Sequence, residues 1–383
     1  MTQFLGAAGA ERQIAHLAVG LAALDYPVTL LVLGVGPAED VRALEAAGVD
    51  VRQLGAMTPR MRARAMGRIV RAVRRADVVV CSSWDATFWG RVAAIVARRP
   101  VLVIEHAVYR AQQFSLSGKP RARWIALHNR LLEPFTYATV ACAGAQLPVL
   151  RSEGVADDKV VLIPNGVPVA NLRAASAGGD RAELGIPPEA LVLVHVARLT
   201  RLKNQAQTVA TADALRAQGL DVHVVLVGDG EDRATLEAQA GERPWLHVLG
   251  IRDDVPRMFG LADLALLPSL AEAMPMVLAE AFAAGAPVVG YDVGDVGTII
   301  RQTGAGAVVA QEDGAGFTAA CARLLREGDE RARLAEQATE AADLFDAATM
   351  SRRYAALLEA AADGRRPREA ALDEPLTPAR PRA

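Results

Sequence analysis

Short apolar runs alternate with longer amphipathic stretches through both halves of the chain. In the first half the runs are PVTLLVLG (27–34), ADVVVCSS (76–83), PVLVIEH (100–106), ATVACAG (138–144) and KVVLIPNG (159–166). In the second half they are LVLVHVA (191–197), DVHVVLVG (221–228), LHVLG (246–250), ADLALLPS (262–269) and APVVGYD (286–292). Each is apolar throughout, not on alternate positions, which marks a parallel strand covered on both faces. Between them, stretches such as ERQIAHLAVGLAAL (11–24) and AQTVATADALRAQG (206–219) carry helical periodicity. Strand–helix alternation, twice over, predicts an α/β fold of two doubly wound domains. The small-residue and Pro-containing segment 170–190 marks the seam. Residues 1–172 are therefore expected to form the first domain and 173–345 the second. A helix is expected over 346–362, followed by a disordered Pro- and Arg-rich tail over 363–383.

At 383 residues the chain exceeds one ordinary core, which agrees with two domains. No run of about 18 uncharged apolar residues is present, so no membrane-spanning helix is expected. The start, MTQFLGAAGAERQ, lacks a basic segment followed by a long apolar one and does not read as a secretion leader. Cys81, Cys142 and Cys321 lie far apart, with no metal-ligand spacing and no disulfide framework, which suits a reducing cytoplasm. Net charge is −2 but unevenly spread: residues 1–175 carry 21 Lys and Arg against 13 Asp and Glu, the rest 21 against 31. A basic half suggests an anionic partner for the first domain.

In doubly wound sheets ligands bind where strands end and loops enter helices. Three such places carry suggestive residues. In HVARLTRLKNQAQTV (195–209), Arg198 and Lys203 sit between a strand and a helix, a place suited to a diphosphate; taken alone, the segment reads more readily as a solvated charged loop. In VLVGDGEDRATLE (224–237), Gly228 and Gly230 follow a strand, but Arg233 breaks the dinucleotide pattern, and turn glycines are the plain alternative. The third is SLAEAMPMVLAEAFAAGAPVV (269–289), nearly all apolar or small, yet holding Glu272 and Glu280. A buried carboxylate needs a partner, so each must be solvated, paired or used on a ligand. Pro275 is placed to open a helix and Gly285 to stop it, which puts Glu272 in a loop and Glu280 on the helix.

The spacing Glu272-x7-Glu280, preceded in order by HVARLTRLKNQ, VGDGEDR and LGIRDDVPRMFGLADLALLPS, resembles the family 4 retaining glycosyltransferases of GT-B fold. IPNGVPV (163–169) resembles the end of that family's N-terminal domain, and AGAERQIAHLAVGLAALDYPVTLL (8–31) its first helix and second strand. The resemblance implies two Rossmann-like domains facing a central cleft, with the last helix packing back toward the N-terminal, acceptor-binding domain. It implies that Arg198 and Lys203 neutralise the donor diphosphate, so that no metal and no other cofactor is needed. Glu280 is then the carboxylate on the ribose, Glu272 the one on the transferred sugar, and His106 the histidine facing that sugar. Taken alone, His106 reads as a hydrogen-bonded core histidine. Gly228, Gly230, Arg252, Met274, Pro275, Met276 and Val277 complete the implied donor site, with Arg252, Asp253 and Asp254 in a loop bordering the base. Ala8 and Gly9 fall in the N-terminal loop.

The sequence departs from the family pattern in places. Ala8, Ala273 and Asp295 replace family glycines. Only MTQFLG precedes the first helix, where the family has a full strand, so a shortened or missing central strand is expected. The implied function is retaining sugar transfer from a nucleotide-diphosphate donor, a UDP- or GDP-sugar, to a saccharide or lipid-linked acceptor. A nucleotide-sugar-binding pseudoenzyme or a same-fold epimerase is the alternative. Arg60, Arg64, Arg68, Arg71 and Arg75 recur at helical spacing, and KPRARWIALHNR (119–130) adds further basic residues and Trp124. A helix of that kind suits an anionic membrane surface, hence a cytoplasmic protein held peripherally on the inner face; a solvated helix packed on the sheet is the alternative. No nucleic-acid partner is expected.

Overall fold

The computed structural model describes residues 1–6, 9–56, 58–106, 127 and 129–370. The chain divides into two compact units: Met1–Gly166 joined by the segment from Ala347 onward, and Val167–Asp346. The first boundary precedes the expected seam for a physical reason. Residues Val169–Ser176 form a helix that buries Val169 and Leu172 against elements of the second unit.

The first unit contains strands β1 (Thr29–Val32), β2 (Asp50–Gln53), β3 (Val79–Ser82), β4 (Val101–Glu105), β5 (Ala138–Ala141) and β6 (Val160–Leu162). β1 pairs with β2, and β3, β4, β5 and β6 pair in that order, all parallel. Between the two ladders runs the start of the chain. On one side Thr2 N donates to Leu31 O (3.1 Å), Leu33 N to Thr2 O (3.0 Å) and Gly34 N to Gln3 O (2.9 Å). On the other, Ser82 N donates to Met1 O (2.9 Å) and Gln3 N to Ser83 Oγ (2.9 Å). Met1–Gln3 thus fill the slot of the strand expected to be short or missing, and every donor they carry into the sheet finds an acceptor.

Helices α1 (Gly9–Ala22), α2 (Ala38–Ala46), α3 (Pro59–Val73), α4 (Trp84–Ala97) and α5 (Leu147–Ser152) connect these strands. The last helix of the chain, Ala347–Ala362, returns to this unit and lies on α1. Its Met350, Tyr354 and Leu357 share one apolar cluster with Ile14, Leu17 and Leu21 of α1. The approach is tight: a Cβ on Gly20 would sit 1.9 Å from Ser351 Oγ. Residues 363–370, expected to be disordered, continue this packing. Tyr137 Oη donates to Arg365 O (2.9 Å), and Pro367 and Ala370 are buried. The rest of the expected tail, 371–383, lies outside the described residues.

The second unit is a six-stranded parallel sheet in the order β12-β11-β10-β7-β8-β9. Its strands are β7 (Leu191–Val196), β8 (Val222–Val227), β9 (Leu246–Val248), β10 (Leu264–Leu267), β11 (Val288–Tyr291) and β12 (Gly306–Val309). The helices, in chain order, are α6 (Val169–Ser176), α7 (Gln205–Ala217), α8 (Arg233–Gly241), α9 (Val255–Gly260), α10 (Met276–Ala283), α11 (Val296–Thr303), α12 (Gly314–Arg326) and α13 (Gly328–Ala342), so the returning C-terminal helix is α14. The strand order turns between β7 and β10, the place where such sheets bind ligands.

Candidate functional site

Two loops meet above β7 and β10. After β7 the chain runs through Ala197–Asn204, and Asn204 enters α7 in the left-handed conformation (φ 57°). Its Nδ2 donates to Pro268 O (3.1 Å), and Leu270 N donates to Leu202 O (2.8 Å). These bonds, one from a side chain and one from the backbone, join the two loops. They place Lys203 Nζ 2.5 Å from Glu272 Oε1, with the two side chains 20% and 9% exposed. Arg198, on the same loop, is exposed and has no ion-pair partner among the described residues. Its carbonyl accepts from Gln205 Nε2 (2.9 Å), which fixes the loop and leaves the guanidinium at liberty.

Glu280 lies one turn inside α10 and is 3% exposed. Pro275 takes the N-cap position with extended backbone (ψ 129°), so α10 starts at Met276, one residue later than the sequence suggests, and Gly285 follows its end at φ +69°. Met274 and Met276 point into the core, whereas Pro275 and Val277 stay partly open. The turn after β11 supports this loop from below. Asp295 N donates to Ala273 O (2.9 Å), and a Cβ on Gly294 would lie 2.3 Å from Glu272 O. The backbone of Glu272 is thus held independently of its side chain.

Gly228 and Gly230 have a reason of their own. A Cβ on Gly228 would fall 1.9 Å from Ala197 O, and one on Gly230 2.2 Å from Leu199 O. Both serve the close approach of the turn after β8 to the Arg198 loop, sealed by Leu199 N to Asp229 O (2.9 Å). Their absent side chains face backbone, so they shape the site by placing Arg198. Arg252 forks onto Asp254 at 2.6 and 2.7 Å, a pairing that holds the Asp254 carboxyl below the usual range. Asp253, beside it, is exposed.

His106 and Gly9 belong to the first unit. His106 follows β4, and its Nε2 shares a 2.9 Å hydrogen bond with Ser82 Oγ at the end of β3. Burial pushes its pKa down to about 4, so the ring is neutral at physiological pH. Gly9 opens α1. Ala8 and most of the 119–130 segment, Trp124 included, lie outside the described residues.

One residue carries no sequence signal. His195, 1% exposed near the end of β7, shares a 2.8 Å hydrogen bond from Nδ1 with Thr208 Oγ1 of α7. Burial first, and the Lys203 charge second, push its pKa down to about 3. A neutral imidazole beneath the Arg198–Lys203 loop adds no charge there and pins the loop's two ends together. Inside an apolar strand it reads only as core, and nothing but the tertiary contact reveals it.

Residues 7–171 match the family described as Glycosyltransferase Family 4, and 178–341 that described as Glycosyl transferases group 1. D-inositol 3-phosphate glycosyltransferase 1 of Catenulispora acidiphila is 30% identical over 323 residues, 75% of this chain and 74% of that protein. The UDP-Gal:alpha-D-GlcNAc-diphosphoundecaprenol alpha-1,3-galactosyltransferase of Escherichia coli is 28% identical over 65% of this chain and 66% of its own. For several other curated relatives the chain spans about half their length, 52% in the case of the putative glycosyltransferase EpsF of Bacillus subtilis. The crystal structure of Anabaena HepE with UDP-glucose superposes with a TM-score of 0.76 at 21% identity, covering 94% of this chain and 99% of that one. The chain belongs to the family 4 glycosyltransferases, and its fold is GT-B.

Proposed function

We propose that the protein transfers a sugar from a UDP- or GDP-sugar to a saccharide or lipid-linked acceptor, with retention at the anomeric carbon, in the synthesis of cell-surface polysaccharide or glycolipid. The observation that carries this reading is that Arg198 and Lys203 on the loop after β7 are joined to the loop that holds Glu272 and leads into α10 with Glu280, at the strand-order turn of the second unit. As the bond from the sugar carbon to the diphosphate oxygen breaks, charge builds on the diphosphate. Two cations on a loop fixed at its backbone stabilise that charge more in the transition state than in the ground state. They supply what a divalent metal would otherwise supply. The acceptor hydroxyl forms the new bond on the face the diphosphate leaves, and its proton passes to a diphosphate oxygen. No protein nucleophile is needed. Glu280 accepts from the ribose hydroxyls and Glu272 from hydroxyls of the sugar. His106, neutral at working pH, serves as a hydrogen-bonding group and not as an acid.

On the acceptor side, α3 supports an anionic membrane surface at the cytoplasmic face. Its Ala65, Ile69 and Val73 are buried, and Arg62 pairs inward with Asp85 at 2.7 Å. Arg60, Arg64, Arg68, Arg71 and Arg75 are exposed, without an ion-pair partner among the described residues. No helix among the described residues is long and apolar enough to cross a membrane.

The test is product formation from UDP-, GDP- and ADP-sugars with saccharide and polyprenyl-diphosphate-saccharide acceptors, in metal chelator. One donor should give an α-linked product. Lys203→Ala and Glu280→Gln should each lower kcat/KM at least about 100-fold, the scale of losing one transition-state charge contact, with circular dichroism unchanged. Near-wild-type turnover in either variant would sink the assignment. Donor binding without product from any acceptor would favour a nucleotide-sugar-binding protein.

A further inference from the structure

The ion pair at the centre of the site raises a chemical conflict. Lys203 is assigned to the diphosphate and Glu272 to the sugar, yet each has the other as its partner at 2.5 Å. A diphosphate entering the site must take Lys203 from Glu272. A carboxylate so deprived, only 9% exposed in its side chain, then needs new donors. The hydroxyls of a sugar are such donors. A bare nucleoside diphosphate has none to offer at that position.

We infer that Glu272 is a built-in competitor of the diphosphate for Lys203, and that this ion pair makes the site favour a sugar-bearing donor over the bare nucleoside diphosphate. The inference rests on the donor-site reading above and adds to it a reason for selectivity and for release. With a nucleotide sugar, both charges of the pair are satisfied anew: Lys203 by phosphate oxygens, Glu272 by hydroxyls. Once the sugar has moved to the acceptor, Glu272 loses its donors and recaptures Lys203. The nucleoside diphosphate then loses one of its two cations, and leaves.

The exchange is free of structural cost because the side-chain pair does not hold the loops. Leu270 N to Leu202 O (2.8 Å) and Asn204 Nδ2 to Pro268 O (3.1 Å) do so, and the turn at Gly294 and Asp295 fixes the Glu272 and Ala273 carbonyls from the other side. Lys203 N donates to Thr200 O (2.8 Å), so the lysine's own turn is closed by backbone. Arg198 has no such competitor among the described residues and stays available to the phosphate throughout.

The experiment is calorimetric titration of the full chain with UDP, GDP and ADP, and with the corresponding sugar nucleotides, for wild type, Glu272→Gln, Lys203→Ala and the double variant. Glutamine keeps the size and the hydrogen-bonding ability of Glu272 but gives up the charge. Whichever nucleoside diphosphate binds wild type should bind Glu272→Gln about 3- to 10-fold more tightly, the range set by releasing a partly buried ion pair. In the Lys203→Ala background the same change should matter less than about twofold, since the competition is gone. The preference for the sugar nucleotide over the nucleoside diphosphate should fall in Glu272→Gln. Equal or weaker nucleoside-diphosphate binding by Glu272→Gln, with its urea midpoint intact, overturns the inference and leaves the donor site standing. No binding of any nucleotide to wild type overturns the donor site itself, and this inference with it.

Discussion

Glu272 and Glu280 share a motif but not an environment. Glu272 is fixed at its backbone by a neighbouring turn and at its side chain by one lysine, while Glu280 is enclosed on its helix. Both carboxylates were legible as anomalies, because an apolar segment has no structural reason to hold them. Their surroundings were not legible. That Gly294 must be small to pass beneath Glu272 O depends on chain segments some twenty residues apart, and that Arg252 is spent on Asp254 depends on how one short loop folds. His195 is the clearest case, and its titration makes it testable. Its folded pKa, about 3, lies below the ordinary value of 6.5, so the unfolded chain takes up a proton that the folded one refuses. Stability from this residue is therefore complete above about pH 6.5 and falls by about 1.4 kcal/mol per unit as the pH drops toward 3. His195→Asn, which keeps a group for Thr208, should be less stable than wild type at pH 7. Its unfolding free energy should decline less steeply between pH 6 and 4.5. Urea unfolding at four pH values decides it, and parallel slopes for the two proteins would remove His195 from this account.

At the scale of elements, the interior strands and the edge strands β6 and β9 were legible, and β2 and β12 were not. β4, β8 and β10 are buried along their whole length and announce themselves as unbroken apolar runs. β2, with the sequence DVRQ and mostly exposed, carries no such run, and neither does GAVV of β12, half covered at the other sheet's margin. Met1–Gln3 is the same lesson at its shortest: three residues act as a strand because two ladders flank them, not because of what they are. α3 was legible in its periodicity, and the structure gives it one face in the core and one basic face outward. The outward face can be altered without touching the inward one. Replacing Arg60, Arg64 and Arg68 together by Gln should change unfolding free energy by less than about 0.5 kcal/mol per site, as is usual for exposed positions. Cosedimentation with vesicles rich in phosphatidylglycerol should fall by more than half at low salt, and wild-type binding should itself vanish near 0.5 M salt as charges are screened (about 4 Å Debye length). Undiminished sedimentation of the triple variant would take the membrane role away from α3.

The charge asymmetry of the whole chain follows its two units: the basic excess lies in residues 1–175, while the residues assigned to the donor, Arg198, Lys203, Glu272 and Glu280, all lie within Val167–Asp346. Among the described residues that second unit is one uninterrupted stretch of chain with its own six-stranded sheet. The first is assembled from two stretches, since α14 must come back to cover α1. Cutting the chain should therefore have unequal effects. Residues 167–346 expressed alone should unfold cooperatively and bind the same nucleoside diphosphate as the full chain, with affinity within about tenfold (about 1.4 kcal/mol). They should transfer no sugar, because His106 and the acceptor-side surfaces proposed for the first unit are gone. Residues 1–166 alone leave Ile14, Leu17 and Leu21 without Met350, Tyr354 and Leu357, and losing three such burials costs on the order of 5 kcal/mol, comparable to the whole stability of a domain. That piece should be molten or aggregated, and adding 347–370 through a flexible linker should restore a cooperative transition. If instead 1–166 folds alone and 167–346 fails to bind nucleotide, then the donor is held by more of the chain than the four charged residues, and the assignment of the donor site to the second unit has to be withdrawn.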